Sequence, residues 1–555
     1  MTTLTGAQLT VRLLERQGVR IVAGIPGGAN LPIYDALAQS SQIRHILARH
    51  EQGAGFIAQG MARVTGMPAV CLASSGPGAT NLLTAVADAK LDSTPLVAIT
   101  GQVPRAMIGT DAFQEVDTYG LTIPITKHNF LVDSAEDLVA VVPDAFRIAT
   151  SGRPGPVLID IPKDVQTASV DVCDWPAPGV AYPAPAVDRA LIARAVGLIT
   201  EAQRPILYLG GGVIHGGASD LATALAEKAS LPTVMTLMAL GALPANHPLS
   251  LGMLGMHGAR CTNLALDECD LLVAVGARFD DRATGKVAQF CPQAKIVHID
   301  IDPAELDKIK TAHVGINGDV GAVLREMLPR TTKSDRSAWL ARIGELRRLF
   351  PLATPGIDDP RSHYGLIRSV AECLDGEAIV VTDVGQHQMW VAQSYPLRGP
   401  RRWLTSGGLG TMGFGLPVAI GAALPDPRAT VVCFSGDGSI LMNLQELATA
   451  AEEDVNVKVV LMNNNALGLV HQQQTLFYGK RIYASRFRCS PDFIRIAGGF
   501  GLRAVDLDIA ENPKAALREA LTTRGPCLIH ASIDVKDQVL PMVPPGAANK
   551  DMIGA

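Results

Sequence analysis

The feature that most constrains this chain is a pattern used three times over: short runs of Val, Ile and Leu alternate with segments of helical length and periodicity. Apolar runs without polar alternation are buried on both faces, and their alternation with helices predicts a parallel sheet covered by helices on each side. Ile21 to Ala23, Ala69 to Ala73, Leu96 to Thr100 and Val157 to Ile161 make the first set. Ile206 to Leu209, Leu271 to Val275 and Ile296 to Ile301 make the second. Ala378 to Thr382, Thr430 to Ser435, Lys458 to Asn463 and Cys527 to Ser532 make the third. The predicted fold class is therefore α/β, with three doubly wound parallel-sheet domains. A Pro- and Ala-rich stretch without periodicity, Asp171 to Ala186, reads as a linker. A charged helical stretch (Ser337 to Phe350) and a Pro-containing segment (Pro351 to Pro360) separate the second set from the third. The expected domains are 1–170, 187–330 and 363–535, followed by a tail, 536–555, too rich in Pro and Gly for a regular element.

Composition excludes several classes of function. Lys plus Arg (48) nearly balance Asp plus Glu (53), and no basic run tracks a nucleic-acid backbone, so no nucleic-acid partner is expected. The nine cysteines are odd in number, widely spaced and without a CxxC pair, which signals neither a disulfide framework nor a zinc site. No window approaches the roughly 18 unbroken apolar residues of a membrane span. Met1 to Arg20 lacks the charged-then-apolar order of a signal peptide, so a cytoplasmic protein with no membrane association is expected.

Two Gly-rich turns, Ser75-Gly76-Pro77-Gly78-Ala79-Thr80 and Ser406-Gly407-Gly408-Leu409-Gly410-Thr411, each follow a strand-like run and are expected to open a helix of small residues. Such a turn offers backbone N–H groups to a phosphate, or simply lets helix and sheet pack closely. A more specific signal lies in the third set. Gly436-Asp437-Gly438-Ser439 follows one apolar strand, and Asn463-Asn464-Asn465 ends another, so Asp437 and Asn464 are predicted at carboxyl ends of parallel strands. Open α/β sheets bind ligands at that edge. A carboxylate and an amide oxygen, completed by diphosphate oxygens and water, are a usual way to hold Mg²⁺. The plainer alternative is a turn aspartate and a helix-capping asparagine.

These residues resemble the thiamine-diphosphate fingerprint, and its other half is present as Arg49-His50-Glu51-Gln52-Gly53-Ala54. Within that group the whole chain resembles the acetohydroxyacid (acetolactate) synthase large subunits, the bacterial isozyme I branch above all. The resemblance is carried by Pro26-Gly27-Gly28, Gly76 to Asn81, Gly109 to Glu115, Ser151 to Pro156, Leu251 to Gly258, Gly276 to Arg282, Gly385 to Trp390 and Leu467 to Gln474. It implies an enzyme that decarboxylates pyruvate on thiamine diphosphate and transfers the hydroxyethyl group to a second 2-ketoacid. The products are 2-acetolactate from pyruvate and 2-aceto-2-hydroxybutyrate from 2-ketobutyrate, the first common step of valine, leucine and isoleucine biosynthesis.

The resemblance assigns 1–170 to the pyrimidine end of the cofactor, 187–330 to a flavin domain and 363–535 to the diphosphate and Mg²⁺ end. Glu51 would activate the cofactor through its aminopyrimidine ring, with Pro26, Gly27 and Gly28 near it. Asp437, Asn464 and the carbonyl of Ala466 would hold Mg²⁺, with Gly436, Gly438 and Ser439 close by, Gln386 and His387 on the diphosphate, and Gly410 and Met412 along the aminopyrimidine. Phe113, Gln114 and Lys163 from the paired subunit, together with Met256 and Arg282, would line the substrate pocket. Arg282 suits the carboxylate of the second ketoacid because its guanidinium fork matches a carboxylate; its alternative role is an ion pair in the Arg278-Asp280-Asp281-Arg282 cluster.

FAD, in a role without net redox chemistry, would meet Arg153, Thr236, Leu237, Met238, Leu254, Gly255, Met256, His257, Gly276, Arg278, Asp280, Arg282, Asp300, Ile301 and Asp319. Gly210-Gly211-Gly212 after Ile206 to Leu209 is a plausible dinucleotide turn without the GxGxxG spacing. The resemblance further implies a homodimer or homotetramer of large subunits, and a separate small regulatory subunit with valine as inhibitor. In one respect the chain departs from the family: Gln473 stands where many members carry Trp, a ring associated with preference for 2-ketobutyrate.

Overall fold

The computed structural model describes residues 2–554. Three six-stranded sheets, each wholly parallel, carry the architecture. The first places its strands in the order Arg44–Leu47, Ile21–Gly24, Ala69–Ala73, Leu96–Gln102, Pro156–Pro162, His128–Leu131. The second runs Ser250–Met253, Thr233–Met235, Pro205–Leu209, Leu271–Val275, Lys295–Asp300, Val314–Asn317. The third runs Trp403–Leu404, Ile379–Thr382, Val431–Gly436, Val457–Asn463, Cys527–Ser532, Arg503–Asp506.

Numbered along the chain, the first and third sheets share the order 2-1-3-4-6-5, and the middle sheet has the order 3-2-1-4-5-6 of dinucleotide-binding sheets. The first and third sheets, each expected to carry a Gly-rich turn, are thus alike in whole topology. The turns themselves differ. Gly76 leads straight into the helix Pro77–Leu91, whereas the helix after Ser406 begins only at Gly415. The N–H groups of Gly407 and Gly408 are held by the carboxylate of Asp92, at 3.1 and 2.7 Å, and so do not await a phosphate.

The apolar runs account for the sheet centres. Ala69–Ala73, Leu96–Gln102, Pro205–Leu209, Leu271–Val275 and Val431–Gly436 are buried at every residue, as strands covered on both faces must be. All six edge strands, and Thr233–Met235 beside one of them, lie outside the predicted runs. Edge strands such as Arg44–Leu47 and Arg503–Asp506 are largely uncovered, so they need no continuous apolar sequence. Asp171 and Val172 also depart from expectation: they belong to the strand Ser169–Val172, antiparallel to Thr2–Thr5, and not to the linker.

The first and third sheets meet through the helices Glu51–Thr65 and Gly415–Ala423. A Cβ on Gly60 would lie 2.2 Å from the Val418 carbonyl oxygen, and one on Gly421 would lie 1.9 Å from that of Ile57, so only glycine permits this crossing. Phe56 and Phe414 pack edge to face beside it, 5.4 Å between centroids.

Candidate active site

At the third sheet, Val431–Gly436 and Val457–Asn463 pair in parallel with Gly436 opposite Met462, which brings Asp437 and Asn464 to the same sheet edge. Asp437 opens a short helix, Asp437–Ile440, and its Oδ2 accepts the Ala466 N–H at 3.1 Å. Burial pushes its carboxyl up to about 6, against the pull of N–H bonds from its own residue, Asn464, Gly438 and Ala466. Asn464 donates through Nδ2 to Gln386 Oε1 (2.9 Å), which leaves its own Oδ1 for a ligand's role. Gly436 N–H donates to Ser439 Oγ at 3.2 Å. His387 is buried against Gly436, and its Nε2 has no partner; burial pushes the imidazole down to about 3, so it stays neutral. An acidic, oxygen-rich edge beside an orphaned ring nitrogen fits a divalent cation carried by a diphosphate.

At the first sheet, Glu51 is the first residue of the helix Glu51–Thr65, capped by His50 Nδ1, which accepts the Gln52 N–H at 3.1 Å. Glu51 Oε2 accepts from Asn81 Nδ2 at 3.0 Å, and a Cβ on Gly78 would lie 3.5 Å from Oε1. Pro26 to Gly28 follow the neighbouring strand, with the Gly27 N–H held by Asn30 Oδ1 at 2.7 Å. The loop that bears Phe113 and Gln114 folds around Glu115, whose carboxylate accepts the N–H groups of Gly109, Thr110 and Ala112 and is held below the usual carboxylate range by them. Gln114 takes a φ of +62°, and Phe113 is 87% exposed, an unusual position for a phenyl ring. Lys163 opens the helix Lys163–Thr167, where its neighbour Asp164 binds Arg105 at the root of the same loop, at 2.7 Å. Glu51, Phe113, Gln114 and Lys163 therefore belong to one end of the first sheet. Among the described residues no hydrogen bond joins them to Asp437, Asn464, Met256 or Arg282.

The middle sheet opens onto a cavity of about 580 Å³. It lies where the strand order reverses, between Pro205–Leu209 and Leu271–Val275, which is the ligand position in such sheets. Gly210 and Gly276 face each other there, so closely that a Cβ on Gly210 would sit 2.0 Å from the Gly276 carbonyl oxygen. Arg153, Gly210, Gly211, Gly212, Thr236, Leu237, Met238, Leu254, Met256, His257, Gly276, Arg278, Asp280, Arg282, Asp300, Ile301 and Asp319 all line it. Gly255 does not. It makes the turn, at φ +89°, with its N–H and C=O taken by the Asn263 amide, and so positions Met256 and His257. Thr236 Oγ1 and His257 Nδ1 are buried without partners, and two orphaned polar atoms on a wall that mixes apolar residues with Arg153, Arg278, Asp280, Asp300 and Asp319 fit a large polar-and-aromatic ligand. Burial pushes Asp300 up to about 6 and His257 down to about 4.

The cavity continues to Gln388, Met389, Gly410, Leu469 and Gln473 of the C-terminal region. At the junction Arg282 keeps 67% of its side chain exposed and faces Asp281 at 3.7 Å, a loose pair that leaves the guanidinium available.

Most of the chain matches three consecutive family models: "Thiamine pyrophosphate enzyme, N-terminal TPP binding domain" over residues 4–121, its central domain over 192–327, and its C-terminal TPP binding domain over 383–531. It is 62% identical to the "Acetolactate synthase isozyme 1 large subunit" of Escherichia coli (strain K12), covering 99% of this chain and 98% of that one. The chain belongs to the acetolactate synthase large-subunit family. Identity is 47% to the isozyme 2 large subunit of the same bacterium, covering 99% of each chain. It is 48% to "Acetolactate synthase 1, chloroplastic" of Oryza sativa subsp. japonica, over 99% of this chain and 87% of that one.

In this member of the acetolactate synthase family several supporting residues escaped sequence reasoning because their partners are distant in the chain. Asp383, pushed up to about 6 by burial, accepts the N–H groups of Gly413 and Gly415 at 2.9 and 3.1 Å and so fixes the turn that carries Met412. Arg63 joins Asp88 and Asp92, whose carboxylates fasten Ser406, Gly407, Gly408 and Thr411. Among its described residues the tail forms no helix or strand, in line with its composition, yet it is well anchored. Gln386 Nε2 donates to the Asp537 carbonyl (2.8 Å), the Gln472 amide bonds both N–H and C=O of Val539, and the Val543 N–H donates to the Met256 carbonyl (2.8 Å). Lys286 N–H and Asn549 Nδ2 continue the strap beyond Arg282.

Proposed function

We propose that this chain is the catalytic subunit of an acetolactate synthase, joining pyruvate to a second 2-ketoacid with release of CO₂. The observation that carries the reading is the pairing of Asp437 and Asn464 at adjacent parallel strand ends beside the unpartnered Nε2 of His387. In this reading domains 1–170, 187–330 and 363–535 hold the pyrimidine end of thiamine diphosphate, FAD, and the diphosphate with Mg²⁺, and 536–555 straps the last two together.

Asp437, Asn464 Oδ1 and the Ala466 carbonyl would hold Mg²⁺, with Gly436, Gly438, Ser439, Gln386 and His387 around the diphosphate. The thiazolium ring, when bound, supplies the carbon nucleophile and electron sink for decarboxylation. Glu51 moves a proton at the aminopyrimidine nitrogen, and Asn81 Nδ2 keeps its carboxylate in place. Gly410 and Met412 support the ring, while Phe113, Gln114 and Lys163 of a paired subunit close the pocket. Arg282 receives the acceptor's carboxylate, and Met256 packs against the Arg282 guanidinium, Sδ to Nη1 3.9 Å. FAD would fill the 580 Å³ cavity in a structural role.

The relatives are named large subunits, which supports a separate small regulatory subunit, and the nine unpaired cysteines support a reducing cytoplasm. Purified protein incubated with pyruvate, thiamine diphosphate, Mg²⁺ and FAD, with and without 2-ketobutyrate, tests the reading by product identification. Acetolactate, joined by 2-aceto-2-hydroxybutyrate when the acceptor is added, is the expected result. Acetaldehyde, acetate or peroxide without a new carbon–carbon bond would move the assignment to a decarboxylase or oxidase.

A further inference from the structure

Beside the edge that bears Asn464 lies a polar group with no part in the reading above. His530, in the strand Cys527–Ser532, stands opposite Asp506 in the parallel register, and its side chain is only 13% exposed. Its Nδ1 is 3.2 Å from Asp506 Oδ1 and 3.7 Å from Asp508 Oδ2, and its Nε2 is 3.1 Å from Asn463 Nδ2. The three side chains offer ligand atoms within 4.8 Å of one another, as a metal site would. Both ring nitrogens are already engaged, however, and the bonds form a directed chain instead.

Hydrogen-bond chemistry fixes its direction. A carboxylate only accepts, so Nδ1 carries a proton toward Asp506, and the Asn463 NH₂ only donates, so Nε2 is its acceptor. An acceptor at Nε2 requires the NH₂ of Asn463, whose second hydrogen goes to Ser490 Oγ at 3.2 Å. The amide is thereby oriented with Oδ1 on the other side, where it accepts the Asn465 N–H at 3.1 Å. That last bond closes a turn across Asn464 and leads into Ala466. With the opposite tautomer, Nε2–H would confront the Asn463 NH₂, the amide would have to rotate, and its NH₂ would then oppose the Asn465 N–H.

We propose that His530, oriented by Asp506, is a positioning residue for the Mg²⁺ site: through the Asn463 amide it sets the turn that presents Asn464 and Ala466. The inference rests on the proposed role of Asp437, Asn464 and Ala466 as Mg²⁺ ligands. Partners bonded directly to metal ligands typically change affinity about 10- to 100-fold when removed; His530 acts one step further out, through Asn463, so its effect belongs at the lower end of that range.

The test strips the enzyme with EDTA and titrates MgCl₂ by calorimetry in the presence of thiamine diphosphate, for the wild type, His530→Ala, His530→Gln and Asp437→Ala. His530→Ala is expected to bind Mg²⁺ about 10-fold more weakly, with kcat at saturating Mg²⁺ falling far less than the half-saturation rises. His530→Gln, whose Oε1 can accept from Asn463 while Nε2 donates to Asp506, is expected to regain most of the affinity. Wild-type affinity in His530→Ala, with binding lost in Asp437→Ala, overturns the inference and leaves the metal site standing. Wild-type affinity in Asp437→Ala overturns the metal site and this inference together. Should His530→Ala fail to fold, the near-isosteric pair Asp506→Asn with Asp508→Asn frees the tautomer instead; weaker Mg²⁺ binding upholds the relay and unchanged binding refutes it.

Discussion

Glu51 shows how little a residue's identity says without its place. Like Glu305 and Glu446 it lies in the first turn of a helix, and what separates it is the contact with Asn81 and the bare Gly78 beside its carboxylate. If it moves the aminopyrimidine proton, Glu51→Gln retains shape but removes the base. Acetolactate formation should fall by about 100- to 10,000-fold while calorimetric binding of thiamine diphosphate changes little; near-normal turnover would remove Glu51 from the mechanism. Gln473 lines the cavity beside Leu469, where an amide gives a methylene poor contact. The wild type should therefore discriminate weakly between pyruvate and 2-ketobutyrate as acceptor. Gln473→Trp should raise the 2-ketobutyrate preference in a competition assay by up to about 10-fold, within the worth of one methylene, and a strong preference already present in the wild type would refute the argument. Such residues were legible because their motifs are local. Asp383, Asp88 and Asp92 were not, since Asp383 and Asp92 hold backbone N–H groups, and Asp88 holds the Ser406 and Thr411 hydroxyls, far along the chain.

Among the elements, the strand Pro156–Pro162 carries an acid at its centre. Asp160 Oδ1 accepts from Thr100 Oγ1 (2.7 Å) and Oδ2 from Gln102 Nε2 (3.0 Å), and Gln102 also donates to the Val116 carbonyl just past the Phe113–Gln114 loop. Burial pushes this carboxyl up to about 7, with nearby Asp117 adding to the shift. An unfolded aspartate ionises near 3.9, so between about 4 and 7 the folded chain binds the extra proton. The stabilisation is complete below the unfolded value and is lost as pH rises through the folded one. Urea midpoints should accordingly drop from pH 5 to pH 7.5 in the wild type and drop less in Asp160→Asn; equal slopes would show that Asp160 is ionised in the fold. The same element scale marks where apolar patterning stopped working. Sheet centres announced themselves as unbroken apolar runs, while edge strands such as His128–Leu131 and Arg503–Asp506, covered on fewer sides, did not.

At the scale of the whole molecule, Glu51 with Phe113, Gln114 and Lys163 belongs to the first sheet, and Asp437, Asn464 and Arg282 belong to the others, with no hydrogen bond between the two groups in one chain. A two-fold dimer would complete each site with residues of both copies. Mixing Glu51→Gln chains with Asp437→Ala chains, each inactive alone, should then restore acetolactate formation, because one site of each mixed dimer is intact. No recovery after verified subunit exchange would place both residues in the same chain's site.

By itself the sequence determined the α/β class, the three sheets, their central strands and the local motifs Glu51, Asp437 and Asn464, because these depend on the period of apolar residues and on short spacings. Only the tertiary structure decided the shared 2-1-3-4-6-5 order of the outer sheets, the glycine-lined crossing at Gly60 and Gly421, the strap of the tail from Gln386 to Met256, and the His530–Asn463 relay. Each of these joins residues tens to hundreds of positions apart, and a contact of that kind leaves no period for a sequence to display.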